Sequence, residues 1–551
     1  MKYEADIIKE IVDSRGHTKT SIHYQSECVE QWVKEVEGAY PKLCDYQPEW
    51  LNYSNENKIG VFPYTTLSNV TNATVENVVP YAYKRAILTG QTLVNISKFE
   101  SNIERTSTGT SQIIQSNDVT MLKTSTTYTF IYWIESTSDT SVSNITTLDG
   151  SDTQMFERKI LQSSGNLESN FILKFSQTSR DFTGYYGLKF SGLNGSVKLV
   201  KSVILEGDYT NTDIPYFEGM QSVRMPVLTT TGKNLVSNML PLNSNGDNIT
   251  STTVVDSSST IATLIEVGGN ITLTVSKENA GSRFRYFMYR ENPVKGVTMS
   301  IGGQYVDNRN TVTFTTQPDT KYLFVVWCGD KNIDYPINPQ IECGNQVTPY
   351  EPYKSNILTV NEDIELRGIG DVKDTLDCLT GEVTQRIGEY TIDGNEGWAT
   401  YDLYNVDGYK SFVTSITGLN NFYEGSKPFI SSDFRMETWA GYSKCTKEEM
   451  VWNHDPNKIG IKVKNETASN VAELKTFLAS NPIRIKYELA TPIIKTVELT
   501  VVNQAGESLS KIKPIEGTMH LNTSGEHIKP LFSGEIPVEA IKQNLASFIE
   551  E

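Results

Sequence analysis

The chain has 551 residues and a mass of 61.7 kDa, several times the ~100–150 residues of a typical domain, so it divides into several domains. Only 38% of its residues are apolar, yet 28 Tyr, 20 Phe and 7 Trp are enough for several small cores and exclude a wholly disordered chain. A net charge of −17 excludes nucleic acid as a partner, since displacing phosphate counterions takes a basic surplus, and no run of ~20 apolar residues offers insertion into a membrane.

The first stretch in chain order is helical. Ile7, Ile8, Ile11 and Val12 share one face. Ser26 fits an N-cap for a helix that carries Val29, Trp32, Val33 and Val36 on one stripe and stops at Gly38. Residues 1–58 are therefore expected to form a helical N-terminal segment. A Pro-Tyr step then recurs at Pro80-Tyr81, Pro215-Tyr216 and Pro349-Tyr350, spaced by 135 and 134 residues. Repetition at that length means a string of similar domains, each closed by its Pro-Tyr step.

The texture between these steps is β. Thr126–Ile134 and Thr320–Trp327 are dense in β-branched and aromatic residues, and Asn270–Val275 alternates polar with apolar. Breaks such as Leu193-Asn194-Gly195, Asn245-Gly246-Asp247 and Asp393-Gly394-Asn395 read as turns. The expected class is mainly β, with tandem β-sandwich or jelly-roll modules and short helical segments at both termini. The expected divisions are 59–222, 223–355 and 356–500, followed by a C-terminal β segment and amphipathic helix over 501–551. In that last helix Pro537 takes the first position, and Val538, Ile541, Leu545, Phe548 and Ile549 form the stripe. Ile541, Leu545 and Phe548 are its candidate docking or oligomerisation residues. Both terminal helices need a surface to cover, either a neighbouring β domain or another chain.

The chemistry-bearing residues are sparse. Six cysteines form no C-x-x-C pair and no disulfide framework, which suits assembly in a reducing cytoplasm. Five scattered histidines form no H-E-x-x-H, and there is no G-x-S-x-G elbow. No carboxylate pair stands out by spacing, so no catalytic residue is assigned and the chain is read as a non-enzyme. No cofactor is expected. Asn243–Asn248 and Asp393–Glu396 cluster oxygens around a glycine, which reads first as turns and second as a structural calcium site.

Three segments carry a resemblance. Pro349–Leu358 is similar to a joint found in tail proteins of phages that infect Gram-positive bacteria. So is Leu366–Asp377 with its continuation Thr380–Gly388, and Ile485–Pro492 is similar to the strand closing the same module. Over roughly residues 340–500 the chain resembles the tail-fibre and baseplate proteins of such phages and of phage-tail-like bacteriocins. More loosely, through Gly232-Lys233-Asn234-Leu235, the upstream modules resemble carbohydrate-binding jelly rolls. The resemblance implies a virion component at the tail tip, assembled in the host cytoplasm, released by lysis and commonly a homotrimer. Its N-terminal segment, through Val29, Trp32, Val33 and Val36, would dock on other tail or baseplate proteins, and its modules would bind bacterial cell-wall glycan without catalysis. The alternatives are a purely structural baseplate or connector protein and, further off, a cell-wall glycan depolymerase.

Sugar binding needs aromatic faces beside amides and carboxylates. The third module supplies most: Trp398, Tyr401, Tyr404, Tyr423, Trp439, Tyr442 and Trp452. Most of these are expected to fill a core. Trp398 and Trp439 stand beside turn residues and, with Tyr401 and Tyr442, are the candidate glycan contacts. Trp133 and Trp327, inside continuous apolar runs, are expected in the core.

Overall fold

A computed structural model describes residues 64–537 apart from 79–84, 117, 119, 149–155, 157, 181–184, 211, 238–239, 243–259, 279–282, 294–299, 307–308, 329–336, 417–428, 438–448, 454–457, 511, 513–514 and 516. The fold is mainly β, as expected, with its strands in several curled sheets. The helices expected at the two termini lie outside the described residues, except that Pro537, expected to open the second, ends the strand Leu531–Pro537 and pairs with Tyr64.

The domains do not follow one another along the chain. Two sheets form a stem assembled from distant segments. One runs, in spatial order, Tyr64–Val70, Leu531–Pro537, Arg85–Thr89, Thr375–Asp377, Glu382–Ile392, Ile483–Thr496 and Phe429–Ile430. The other runs Asn72–Val78, Gly517–Glu526, Met220–Gly232, Ser355–Val360, Leu499–Asn503 and Ser508–Leu509. Leu88, Leu376, Val383 and Phe532 from the first sheet share one core with Val75, Leu228, Leu358, Val501 and Leu521 from the second. The expected boundaries at 222/223, 355/356 and 500/501 each cut through a stem strand. Two of the Pro-Tyr repeats fall near the ends of inserts, and the repeats carry no sign of the strands from which the inserts hang.

Three modules are inserted into this stem. The first leaves after Thr92–Val94 and returns at Met220. Its largest sheet is built on Tyr186–Glu206, which pairs with Ile103–Ser116 on one side and Thr127–Ser136 on the other. The second leaves after Gly232 and returns at Ser355. A five-stranded and a three-stranded sheet there close over Leu273, Val275, Leu323, Val325 and Trp327. The third lies between Ile392 and Ile483, where a five-stranded sheet is backed by the helix Val471–Ser480. Each Pro-Tyr step at 215 and 349 closes an insert and leads back into a stem strand rather than into the next domain.

Two local readings change. Leu193-Asn194-Gly195 is not a turn: it lies within Tyr186–Glu206, where the register slips on either side of Leu193 and Gly195 takes a φ of 114°. The turn residues make bulges that bend one long strand. The helix Val471–Ser480 is absent from the sequence reading, and its start is capped locally: Asn470 Oδ1 accepts the Glu473 N–H at 3.1 Å, and Glu473 accepts the N–H of Ser469, just before the cap, at 2.7 Å.

Some of the segments that carry the resemblance do structural work in the stem. Asp374 is fully buried and accepts the N–H groups of Arg367, Arg386 and Ile387 at 3.0, 2.6 and 2.9 Å. Burial pushes its carboxyl up, and those three bonds pull against it. Gly90 and Gly368 cross so closely that a Cβ on Gly90 would stand 2.4 Å from the Arg367 carbonyl oxygen. Only glycine fits that crossing.

Candidate functional site

The third insert uses its aromatics for packing. Trp398 is only 7% exposed, and its indole N–H donates to Glu396 at 3.0 Å. The same carboxylate accepts the N–H groups of Asp393 and Gly394 and the Tyr390 hydroxyl, so the 393–398 loop is wound around Glu396. Tyr401, half-buried, meets Tyr404 edge-on at 5.1 Å, and Tyr404 meets the buried Trp452 at 5.6 Å. Of the four expected glycan contacts, Trp398 is therefore a core residue and Tyr401 the margin of an aromatic stack. Trp439 and Tyr442 lie outside the described residues, as do Val29, Trp32, Val33, Val36, Ile541, Leu545 and Phe548. In the Asp393–Glu396 run the oxygens are engaged by the loop's own N–H groups and by Asn395. Asn243–Asn248 falls outside the described residues.

A cleft at one end of the first insert is lined by Phe130, Tyr132, Phe156, Phe175 and Tyr186, with Thr147, Gln177 and Tyr185 also on its wall. The five rings are all buried and contact one another, Phe130 stacking on Phe175 at 5.2 Å and meeting Phe156 edge-on at 5.1 Å. Burial drives the Tyr186 hydroxyl up to about 12, so it stays protonated. Rings committed to each other leave a ligand no free face.

A more accessible arrangement lies on the opposite side of the same sheet. Along Thr127–Ser136, Tyr128, Phe130, Tyr132 and Ile134 enter the insert's core, while Ile131 points the other way into the stem core. From Phe130 to Ile134 the run is apolar because both of its faces are largely covered. Trp133 shares the Ile131 face but sits at its margin, where it is half-buried rather than a core residue. Trp327 is in the core as expected, 2% exposed.

Across the sheet Trp133 stands opposite Ile172 on one strand and Lys201 on another. Ile172 is 57% exposed. Tyr216, from the Pro-Tyr step, meets Trp133 edge-on at 5.9 Å and 80°. The Lys201 ammonium sits 5.2 Å from the Trp133 ring centre and 4.8 Å from that of Tyr216. The Tyr216 hydroxyl donates to Glu218 at 2.8 Å, and partial burial together with that carboxylate raises its pKa.

The segment that carries Tyr216 is held from three sides. Asn95 Nδ2 donates to the Phe217 carbonyl at 2.9 Å, the Lys174 ammonium donates to the Thr212 carbonyl, and Lys321 of the second insert pairs with Asp213 at 2.9 Å. The corner thus combines two aromatic rings, an exposed aliphatic side chain, a cation and a carboxylate acceptor on a braced frame. It can stack on a sugar and hydrogen-bond its hydroxyls. The sequence held both halves of this site, Trp133 and the recurring Pro-Tyr step, but not their meeting, because Trp133 reads as one more residue of an apolar strand.

No family model and no curated protein matches the chain. Among solved structures, the N-terminal CBM22-1–CBM22-2 tandem domain of Paenibacillus barcinonensis Xyn10C aligns at 7% identity, covering 51% of this chain and 100% of its own, with a TM-score of 0.15. A Parabacteroides distasonis protein aligns at 11% identity over 52% of this chain and 96% of its own, with a TM-score of 0.11. These likenesses are too slight to place the chain with either protein.

Proposed function

We propose that this chain is a phage tail-tip structural protein, a tail fibre or baseplate arm, that attaches to host cells by non-catalytic binding of cell-wall glycan. The observation that carries the binding half of this reading is the Trp133–Tyr216 corner, where ring surface, an aliphatic neighbour and polar groups stand together on a braced frame. The resemblance of residues 340–500 to tail proteins supports the placement in a virion. The stem supports a division of labour. Tyr64 pairs with Pro537, so the described residues begin and end at one corner of the stem, while the first and third inserts leave the stem from the opposite end of its strands. In this reading the N-terminal segment, residues 1–58, docks on other tail or baseplate proteins, and the assembly is a homotrimer whose tethered weak sites gain effective concentration.

Co-sedimentation of the full chain with cell walls of Gram-positive bacteria, compared with a Trp133→Ala variant, tests the binding half. Sedimentation that the folded variant loses supports it, and no sedimentation of the oligomer from any wall overturns it in favour of a baseplate connector. Antibodies raised against the chain test the placement: they label tail tips and block adsorption if it is right, and leave particles unlabelled if it is wrong.

A further inference from the structure

Resting on that reading, we propose that the Trp133–Tyr216 corner takes carbohydrates that carry an anionic oxygen group, carboxylate or phosphate, and that Lys201 recognises this group. In an acidic chain a lysine is easily matched with a carboxylate, and several lysines of this region are, while Lys174 gives its ammonium to the Thr212 carbonyl. Lys198 pairs with Glu135 at 3.6 Å, Lys321 with Asp213 at 2.9 Å and Lys123 with Glu206 at 2.8 Å. Lys201 has two rings instead, and no carboxylate among the described residues pairs with it. Glu218, the carboxylate nearest in sequence to Tyr216, accepts the Tyr216 hydroxyl.

A cation held against ring faces is stabilised on one side only, and its remaining N–H donors are free for an acceptor. A neutral sugar at this corner can offer the ammonium only a hydroxyl oxygen, a weaker partner than an anionic one. An acidic sugar can lay its C–H face along Ile172 and Trp133, which face each other across the sheet, and set its anionic oxygen on Lys201. The net charge of −17 repels polyanions at a distance, so recognition has to come from close fit at this one cation rather than from general adhesion.

The test is calorimetric titration of the full chain with three matched probes: an oligogalacturonate, the same oligomer with its carboxyls reduced to alcohols, and the reduced oligomer phosphorylated at those alcohols. At least one anionic probe is expected to bind roughly ten-fold tighter than the neutral one, the size of a single charge-assisted hydrogen bond. The two anionic arms separate carboxylate from phosphate recognition. Lys201→Gln is expected to abolish the preference and Lys201→Arg to keep it. Ile172→Asp, at an exposed position, is expected to weaken the anionic probes while the fold stays intact. Neutral binding equal to both anionic probes, or a preference that survives Lys201→Gln, overturns the proposal and leaves glycan attachment standing. If no probe binds while the chain still sediments with cell walls, the proposal falls alone; if sedimentation is also absent, both fall.

Discussion

Asn95 and Asn234 occupy equivalent places in two different inserts, and each makes the corresponding set of four hydrogen bonds. Each side-chain oxygen accepts the N–H two residues ahead (Ser97, Val236) and the N–H of a strand near the end of the insert (Ile204, Ile341). Each side-chain NH2 donates to two carbonyls on the way out, those of Ser202 and Phe217 for Asn95 and of Pro339 and Glu351 for Asn234. One amide thus ties the first residues of a module to its last, which is how a β insert closes its ends over a two-point attachment.

Removing either clasp is expected to loosen one insert and spare the other. Asn234 is 2% exposed while Asn95 is half-buried, so Asn234→Ala should cost more. Losing a buried amide with four partners costs about 2–4 kcal/mol, because the abandoned backbone groups remain buried. Asn→Asp should cost a similar amount, since a carboxylate cannot donate to the two carbonyls. Hydrogen exchange is the measurement, with lost protection confined to residues 234–353 for the Asn234 variants.

The stem carries a buried charge cluster that sets an acid limit. Lys486, with a side chain 4% exposed, donates to Glu365 and, at 2.9 Å, to the Ser222 hydroxyl, and it lies 3.5 Å from Glu389. Arg367 pairs with Glu365 from the other side at 2.8 Å. Burial alone would raise the Glu365 carboxyl, but the bond to Lys486 and the two cations override it and bring it from 4.5 down to about 2. A carboxylate depressed on folding gives stability that is fully present above its unfolded value and is lost as pH falls. The contribution, about 3 kcal/mol at neutral pH, should therefore disappear between pH 4.5 and 2. Denaturant titrations across that window check it, and Glu365→Gln should flatten the dependence. Lys486→Met is expected to cost about 3–5 kcal/mol by leaving Glu365 with less compensation in a buried site.

The third insert separates the two roles an aromatic can have. Trp398→Ala should cost about 3–5 kcal/mol of stability without any selective loss of sugar affinity, because the ring is buried and its N–H serves Glu396. Gly460 stands directly opposite Trp452, and a Cβ there would lie 2.1 Å from the indole. Gly460→Val is expected to displace the ring and destabilise the insert by about 1–3 kcal/mol, read as a red shift of tryptophan fluorescence and a lower unfolding midpoint.

What the sequence disclosed and what it hid follow from the range of each interaction. Strands Thr127–Ser136, Thr272–Ser276 and Tyr322–Cys328 declare themselves through composition and alternation, which are local. The Pro-Tyr steps at 215 and 349 mark module ends because the same closure is built twice. The stem is silent in the sequence, since Thr74 pairs with His520 and Leu88 with Phe532 without any pattern in either segment pointing to the other. The same limit explains the site. Turn residues beside Trp398 suggested exposure, yet Glu396 folds that loop inward, whereas Trp133, on an interior strand, lies at the margin of the stem core against Tyr216, a residue from far along the chain.

The chain's last two described strands complete both stem sheets. Gly517–Glu526 lies between Asn72–Val78 and Met220–Gly232, and Leu531–Pro537 lies between Tyr64–Val70 and Arg85–Thr89. Phe532, 1% exposed, fills the core between them. The stem therefore cannot close until nearly the whole chain is present, while the first two inserts hold their own cores and clasps much earlier. Long-range pairing of this kind is slow, because loop closure precedes any gain from the contacts. A chain ending at residue 530 is expected to keep the first two inserts and lose the stem's cooperative unfolding transition, whereas a chain ending at 537 keeps both. Pulsed hydrogen exchange during refolding should protect Thr127–Ser136 and Tyr322–Cys328 before Arg85–Thr89 and Gly517–Glu526. Simultaneous protection of all four would mean that the inserts depend on the stem for their folding, and the clasps at Asn95 and Asn234 would then be consequences of stem closure rather than independent locks.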